Sequence, residues 1–170
     1  MLNHLFTPLQ LSAGAGIIII ILTCILIVPA RAKAVKNYEA RHSIFSPAEK
    51  YFYNVLLSIY KDRYIVLAKI RIADVVEVKK TLNQKEFWKV LSQVSQKHID
   101  YLITDKNLNT LCVIELDDKS HYLRSDRIQR DKFINALMKE TGIALYRIRV
   151  QRRYNRHEIK QTLSDCLSIE

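Results

Sequence analysis

The first thirty residues hold no aspartate, glutamate, lysine or arginine, whereas the other 140 carry all 27 basic and 17 acidic residues of the chain. An uncharged head on a basic body with formal net charge +10 is the first thing the composition sets. Cysteine is nearly as scarce. The three thiols, Cys24, Cys112 and Cys166, share no regular spacing, which excludes a zinc motif and a disulfide framework and fits a reducing compartment. Internal repeats and low-complexity tracts are missing too. At 170 residues the expectation is one domain with room for a core.

The uncharged head contains the apolar run Leu11 to Ala30, with Ile17 to Leu22 and Ile25 to Val28 at its centre. Twenty residues of helix rise about 30 Å, the thickness of a bilayer's hydrocarbon layer. A cleaved signal peptide has a basic segment before a shorter apolar run. Here no basic residue precedes the run, and Arg31, Lys33, Lys36 and Arg41 follow it. The small residues of Pro29-Ala30-Arg31-Ala32 leave cleavage open as the rival reading, but the balance predicts a retained anchor. Basic residues favour the cytoplasmic side, so a short N-terminus is expected outside and the body inside. The segments are then a tail at 1–10, a transmembrane helix at 11–30, a basic juxtamembrane linker at 31–45 and a folded domain at 46–170.

Within that domain, Ser46-Pro47-Ala48-Glu49 reads as a helix start with Ser46 as N-cap. Tyr51, Phe52, Val55, Leu56 and Ile59 follow at helical spacing. Tyr64 to Ala68 reads as a buried strand, and Ile70 to Val78 is ambiguous between strand and loop. Lys85 to Val94 reads as a helix with Phe87, Trp88, Leu91 and Val94 on one face. His98 to Thr104 and Thr110 to Leu116 form a hairpin. Arg124 to Glu140 is a helix burying Ile128, Phe133, Leu137 and Met138, closed by Gly142. Ala144 to Ile148 is a strand, and His157 to Leu167 a helix. A hairpin followed by a helical crossover implies an α/β fold with a mixed sheet flanked by helices.

Two of these strands carry acid. Asp100 lies in the first, and Glu115 and Asp117 share one side at the end of the second. Carboxylates taken out of water need a cation, a metal ion or a proton. Asp100, Glu115 and Asp117 on adjacent strands suit a hard divalent ion such as Mg²⁺. The competing reading pairs them with local bases such as Lys97, Arg127 or Arg130. His121 has the intrinsic pKa of a general acid or base, and could equally hydrogen-bond Asp118 to orient a loop. His98 is expected on the opposite strand face.

Ser46 to Glu49, Ile72-Ala73-Asp74-Val75, Lys97 to Tyr101, Ile114 to His121, Arg127, Arg130-Asp131 and Leu145-Tyr146-Arg147 together carry a resemblance. They resemble an uncharacterised bacterial domain-of-unknown-function family in the PD-(D/E)xK nuclease superfamily, similar to very-short-patch-repair endonucleases. The resemblance implies a restriction-endonuclease-like fold, with Asp100 and Glu115 holding Mg²⁺ and the carbonyl of Leu116 as a third ligand. It places Glu49 toward the same site. Asp117 stands where the superfamily has a lysine; Lys97, Lys119, His121 and Arg130 are open as substitutes, and Asp117 itself as an extra ligand. The implied catalytic set is Asp100, Glu115, Asp117 and His121.

Arg127, Arg130, Arg147, Arg149, Arg152 and Arg153 are the residues expected to bind nucleic acid. The last four begin a cationic segment that runs on through Arg156 to Lys160, with Tyr146 and Tyr154 interleaved. Phosphate backbones suit such a segment, and tyrosines can stack on exposed bases. A solvated face and docking on anionic lipid are the other readings of the same charges. The expected function is Mg²⁺-dependent phosphodiester hydrolysis of nucleic acid at the bacterial inner membrane. The alternative is a non-catalytic nuclease-fold subunit that binds protein partners in a membrane complex.

Overall fold

The structure, a computed structural model of the chain, describes Leu22 and residues 37–117 and 125–167. The chain divides into two compact units, Met1–His42 and Ser43–Glu170. The expected membrane helix at 11–30 lies, apart from Leu22, outside the described residues. Among the described residues no helix is long and apolar enough to cross a membrane.

The second unit opens with α1, Pro47–Tyr60. Ser46 accepts from the Glu49 amide, and the Glu49 carboxylate accepts from the Ser46 amide at 2.7 Å, a complete capping box. Replacing Ser46 by alanine is expected to cost about 1 kcal/mol, read as a lower urea midpoint with an unchanged slope. The chain continues through β1 (Ile65–Arg71), a 3₁₀ turn at Ile72–Asp74, α2 (Gln84–Ser95), β2 (His98–Thr104) and β3 (Thr110–Asp117). It ends with α3 (Ser125–Thr141), β4 (Ala144–Arg149) and α4 (Arg156–Thr162). Of the ambiguous stretch Ile70 to Val78, the first two residues complete β1 and the next three form the 3₁₀ turn.

The sheet order is β1-β2-β3-β4. β1, β2 and β3 run antiparallel in succession, and β4 joins β3 in parallel after the α3 crossover. This is the expected mixed sheet. Alternation sends successive residues to two apolar layers. Tyr101, Ile103, Cys112 and Ile114 pack with Phe52, Leu56 and Tyr60 of α1 and with Ile159 of α4. Leu102 and Val113 pack on the other face with Val94 of α2 and Ile134 and Met138 of α3. Gly142 follows α3 with φ 71°, the left-handed conformation that ends a helix at low cost to glycine.

Two expected buried positions are exposed. Trp88 is 60% exposed, because the inward stripe of α2 runs through Phe87, Leu91 and Val94, one helical step to its side. Ile128 is 48% exposed, and Ile134 takes the fully buried place on α3.

Candidate functional site

Four charged side chains stand across the sheet, one from each strand. Lys69 on β1 faces Asp100 on β2, since the pairs Ala68–Tyr101 and Ile70–Ile99 bracket them. Extending the β2–β3 register by one residue beyond Tyr101–Ile114 sets Asp100 opposite Glu115. Glu115 is paired in turn with Arg147 on β4. The order is cation, anion, anion, cation.

Glu115 is the most confined of the four. Its residue is 5% exposed. One carboxylate oxygen lies 3.7 Å from the Arg130 guanidinium, and the other, Oε1, has no hydrogen-bond partner among the described residues. Burial, and next the Asp100 charge, push its pKa up to about 7, against the pull of Arg130 and Arg147.

Asp100 is better provided. Its Oδ2 accepts from the Leu116 amide at 2.9 Å and its Oδ1 from the Lys69 ammonium at 3.2 Å. The same ammonium lies 2.5 Å from Glu49 Oε1. Burial works against the Glu49 charge, yet hydrogen bonds from Lys69 and Ser46 hold its carboxyl below the ordinary value. Lys69 is correspondingly raised, its burial outweighed by Glu49 and Asp100. The Tyr101 hydroxyl donates to the Glu49 carbonyl at 2.8 Å and so ties α1 to the same strand as Asp100.

Lys69 reaches Glu49 because its backbone is left-handed, with φ 55°, a conformation uncommon outside glycine and asparagine. Ala68 packs in the α1 layer and Ile70 in the opposite one. Regular alternation would put Lys69 with Leu67, on the α3 side. The positive φ interrupts the pleat and leaves the ammonium on the α1 side.

Asp117 and Arg147 form a second group. The Arg147 guanidinium donates to Asp117 Oδ1 at 3.2 Å, to Asp131 Oδ1 at 3.5 Å and to Asn135 Oδ1 at 3.2 Å. Asp117 therefore has an arginine partner, and Arg147, expected to contact nucleic acid, is engaged by side chains of β3 and α3. Arg130 donates to the His98 carbonyl at 3.0 Å besides approaching Glu115. Of the bases expected to neutralise the acids, Arg130 does so. Lys97 bonds the Gln93 carbonyl and lies 5.1 Å above the Phe133 ring. Lys69 was not among the expected residues, though among the described residues it is the lysine that the acidic centre holds.

Among the described residues, five carboxylates (Glu49, Asp100, Glu115, Asp117 and Asp131) meet three cations (Lys69, Arg130 and Arg147). The excess of two negative charges equals one divalent ion, or is halved if Glu115 keeps its proton. No group of three or more His, Cys, Asp or Glu residues is arranged to hold a metal among the described residues. The ligands on offer are Asp100, Glu115 and the backbone. The Asp117 carbonyl accepts from the Val150 amide on the β4 side, so alternation turns the peptide groups of Leu116 toward β2, where its amide meets Asp100. Two carboxylates and one carbonyl fit Mg²⁺, which ordinarily retains several waters.

Asp118, Lys119, His121 and the Arg127 side chain lie outside the described residues. Arg149, Arg152, Arg153 and Arg156 are exposed, and no ion pair engages them among the described residues. The interleaved tyrosines are partly buried. Tyr146 and Tyr154 pack in the α1 layer, with the Tyr154 ring 4.7 Å from that of Phe52.

The chain finds no match among curated proteins and none among solved structures. Residues 41–167 match the family described as protein of unknown function (DUF2726). That stretch spans the whole charged centre from Glu49 to Arg147, and the chain belongs to this family.

Proposed function

We propose that the domain is a PD-(D/E)xK-type nuclease with a restriction-endonuclease-like fold, hydrolysing phosphodiester bonds of nucleic acid with Mg²⁺. The observation that carries this reading is Glu115: a buried carboxylate with an oxygen that has no hydrogen-bond partner among the described residues, set opposite Asp100 at the end of the central strand pair. Asp100, Glu115 and the Leu116 carbonyl would hold the ion. When bound, it lowers the pKa of a coordinated water and neutralises charge on a phosphoryl group. Arg147 keeps Asp117 in place, and Tyr101 and the capping box fix Glu49. The exposed Arg149, Arg152 and Arg153 leave the end of β4, next to Asp117, and suit a phosphate backbone. His121 is the proposed proton carrier. The apolar segment 11–30 would tether the domain to the inner membrane, with the domain in the cytoplasm.

The purified full chain is expected to cleave labelled DNA or RNA in Mg²⁺ or Mn²⁺, and to lose that activity in Asp100→Ala and Glu115→Ala. Metal should raise the melting temperature of the wild type alone. Wild-type protein that neither cleaves nor gains stability from metal sinks the proposal.

The second reading, an interaction subunit that keeps the fold without the chemistry, draws on Asp117. Its place is the superfamily's lysine position, and it is occupied by an ion pair with Arg147.

A further inference from the structure

We propose that Lys69 and Glu49 form a cationic latch that sets how readily a divalent ion reaches Asp100, an inference that rests on the metal reading above. Both oxygens of Asp100 are engaged, Oδ2 by the Leu116 amide at 2.9 Å and Oδ1 by the Lys69 ammonium at 3.2 Å. The amide is fixed in the backbone of β3. An ion that binds Asp100 through Oδ1 therefore competes with the ammonium, which carries the same sign of charge.

The ammonium has a second acceptor to retain. It lies closer to Glu49 Oε1, at 2.5 Å, and the other oxygen of that carboxylate is anchored to the Ser46 amide at 2.7 Å. Lys69 thus sits between a fixed acceptor on α1 and a prospective metal ligand on β2. Metal on Asp100 leaves it with Glu49 alone. The backbone selects this arrangement: φ 55° is a strained conformation for a residue with a side chain and persists only where the surroundings enforce it. An ordinary strand conformation would send the lysine to the opposite face, away from Glu49.

The two residues should consequently act in opposite directions. Lys69→Met removes the competing charge and leaves Asp100 to the metal. Glu49→Gln removes the charge that draws the ammonium away, while a glutamine at the third helical position still supports the cap. In Mn²⁺ titrations of the full chain by calorimetry, Lys69→Met is expected to bind about tenfold more tightly than wild type, and Glu49→Gln about tenfold more weakly, the size typical of residues behind metal ligands. Glu115→Gln should not bind. Lys69→Gln, neutral but still polar, serves as the second variant should the methionine protein fail to fold, and is expected to tighten binding likewise.

Unchanged or weaker binding in the Lys69 variants, with wild type still binding, overturns the latch and leaves the metal site standing. Wild type that binds no Mn²⁺ at millimolar concentration overturns both. A merely structural role for the ion pair would weaken binding in both variants, so the opposed signs are diagnostic.

Discussion

Glu115→Gln stabilises the metal-free protein by about 3 kcal/mol at pH 8 and leaves its stability at pH 4 nearly unchanged. The sign follows from the proton. Glu115 titrates near 4.5 when exposed and near 7 in the folded site. Between those values the folded state keeps a proton that the unfolded chain has released. Stability therefore falls as pH rises through this window, is unaffected by this group below it, and is lowered by the full amount above it. The difference in pKa converts to about 3 kcal/mol. Because the residue is 5% exposed, solvent does little to screen it. Glutamine carries no charge at either end of the range. Urea unfolding at pH 4 and pH 8 measures the effect, and the wild-type loss should be recovered when Mn²⁺ is added. A wild type whose stability rises with pH more steeply than that of the variant would contradict the assignment.

Phe52→Ala is expected to cost about 4 kcal/mol. The ring is fully buried, 5.5 Å from the Tyr101 ring and 4.7 Å from that of Tyr154. It seats α1 on the sheet and so holds the helix end that carries Glu49. Truncation leaves a cavity among three elements, and the surrounding aromatic rings cannot close it without leaving their own contacts. Thermal unfolding should show a fall in Tm of about 10 °C. Trp88→Ala, at a site 60% exposed on α2, should change stability by less than about 0.5 kcal/mol. Equal losses in the two variants would mean that the core is misplaced.

Most of the architecture is legible in the residues themselves. The order of helices and strands follows from apolar spacing, and the parallel pairing of β3 and β4 from the helix between them. The hairpin is legible from its short connector, but the facing of Asp100 and Glu115 is not: between Ile103 and Thr104 the pairing slips by one residue, and without that slip Asp100 would stand opposite Ile114. Lys69 is not legible for three reasons. The apolar run that signals β1 ends at Ala68, the backbone at Lys69 departs from strand alternation, and its two partners are distant in sequence. The partnership of Asp117 with Arg147 depends on how far α3 shifts β4 along β3, which periodicity does not determine. Tyr146 and Tyr154 sit among arginines in the sequence, and their partial burial against the α1 layer depends on long-range packing that local spacing does not reveal.

The strand order has a consequence for how the protein fluctuates. Asp100 and Glu115 belong to the two inner strands, whereas Lys69 and Arg147 belong to the two outer ones. Outer strands have one hydrogen-bonded neighbour and open first in local unfolding. Each such opening carries off a neutralising cation while the acidic pair stays in place. Transient loosening of either margin thus makes the middle of the sheet more anionic, and cations in solution would be drawn to the partly opened form as well as to the closed one. Amide exchange in β1 and β4 should accordingly respond to ionic strength, while that of β2 and β3 should not.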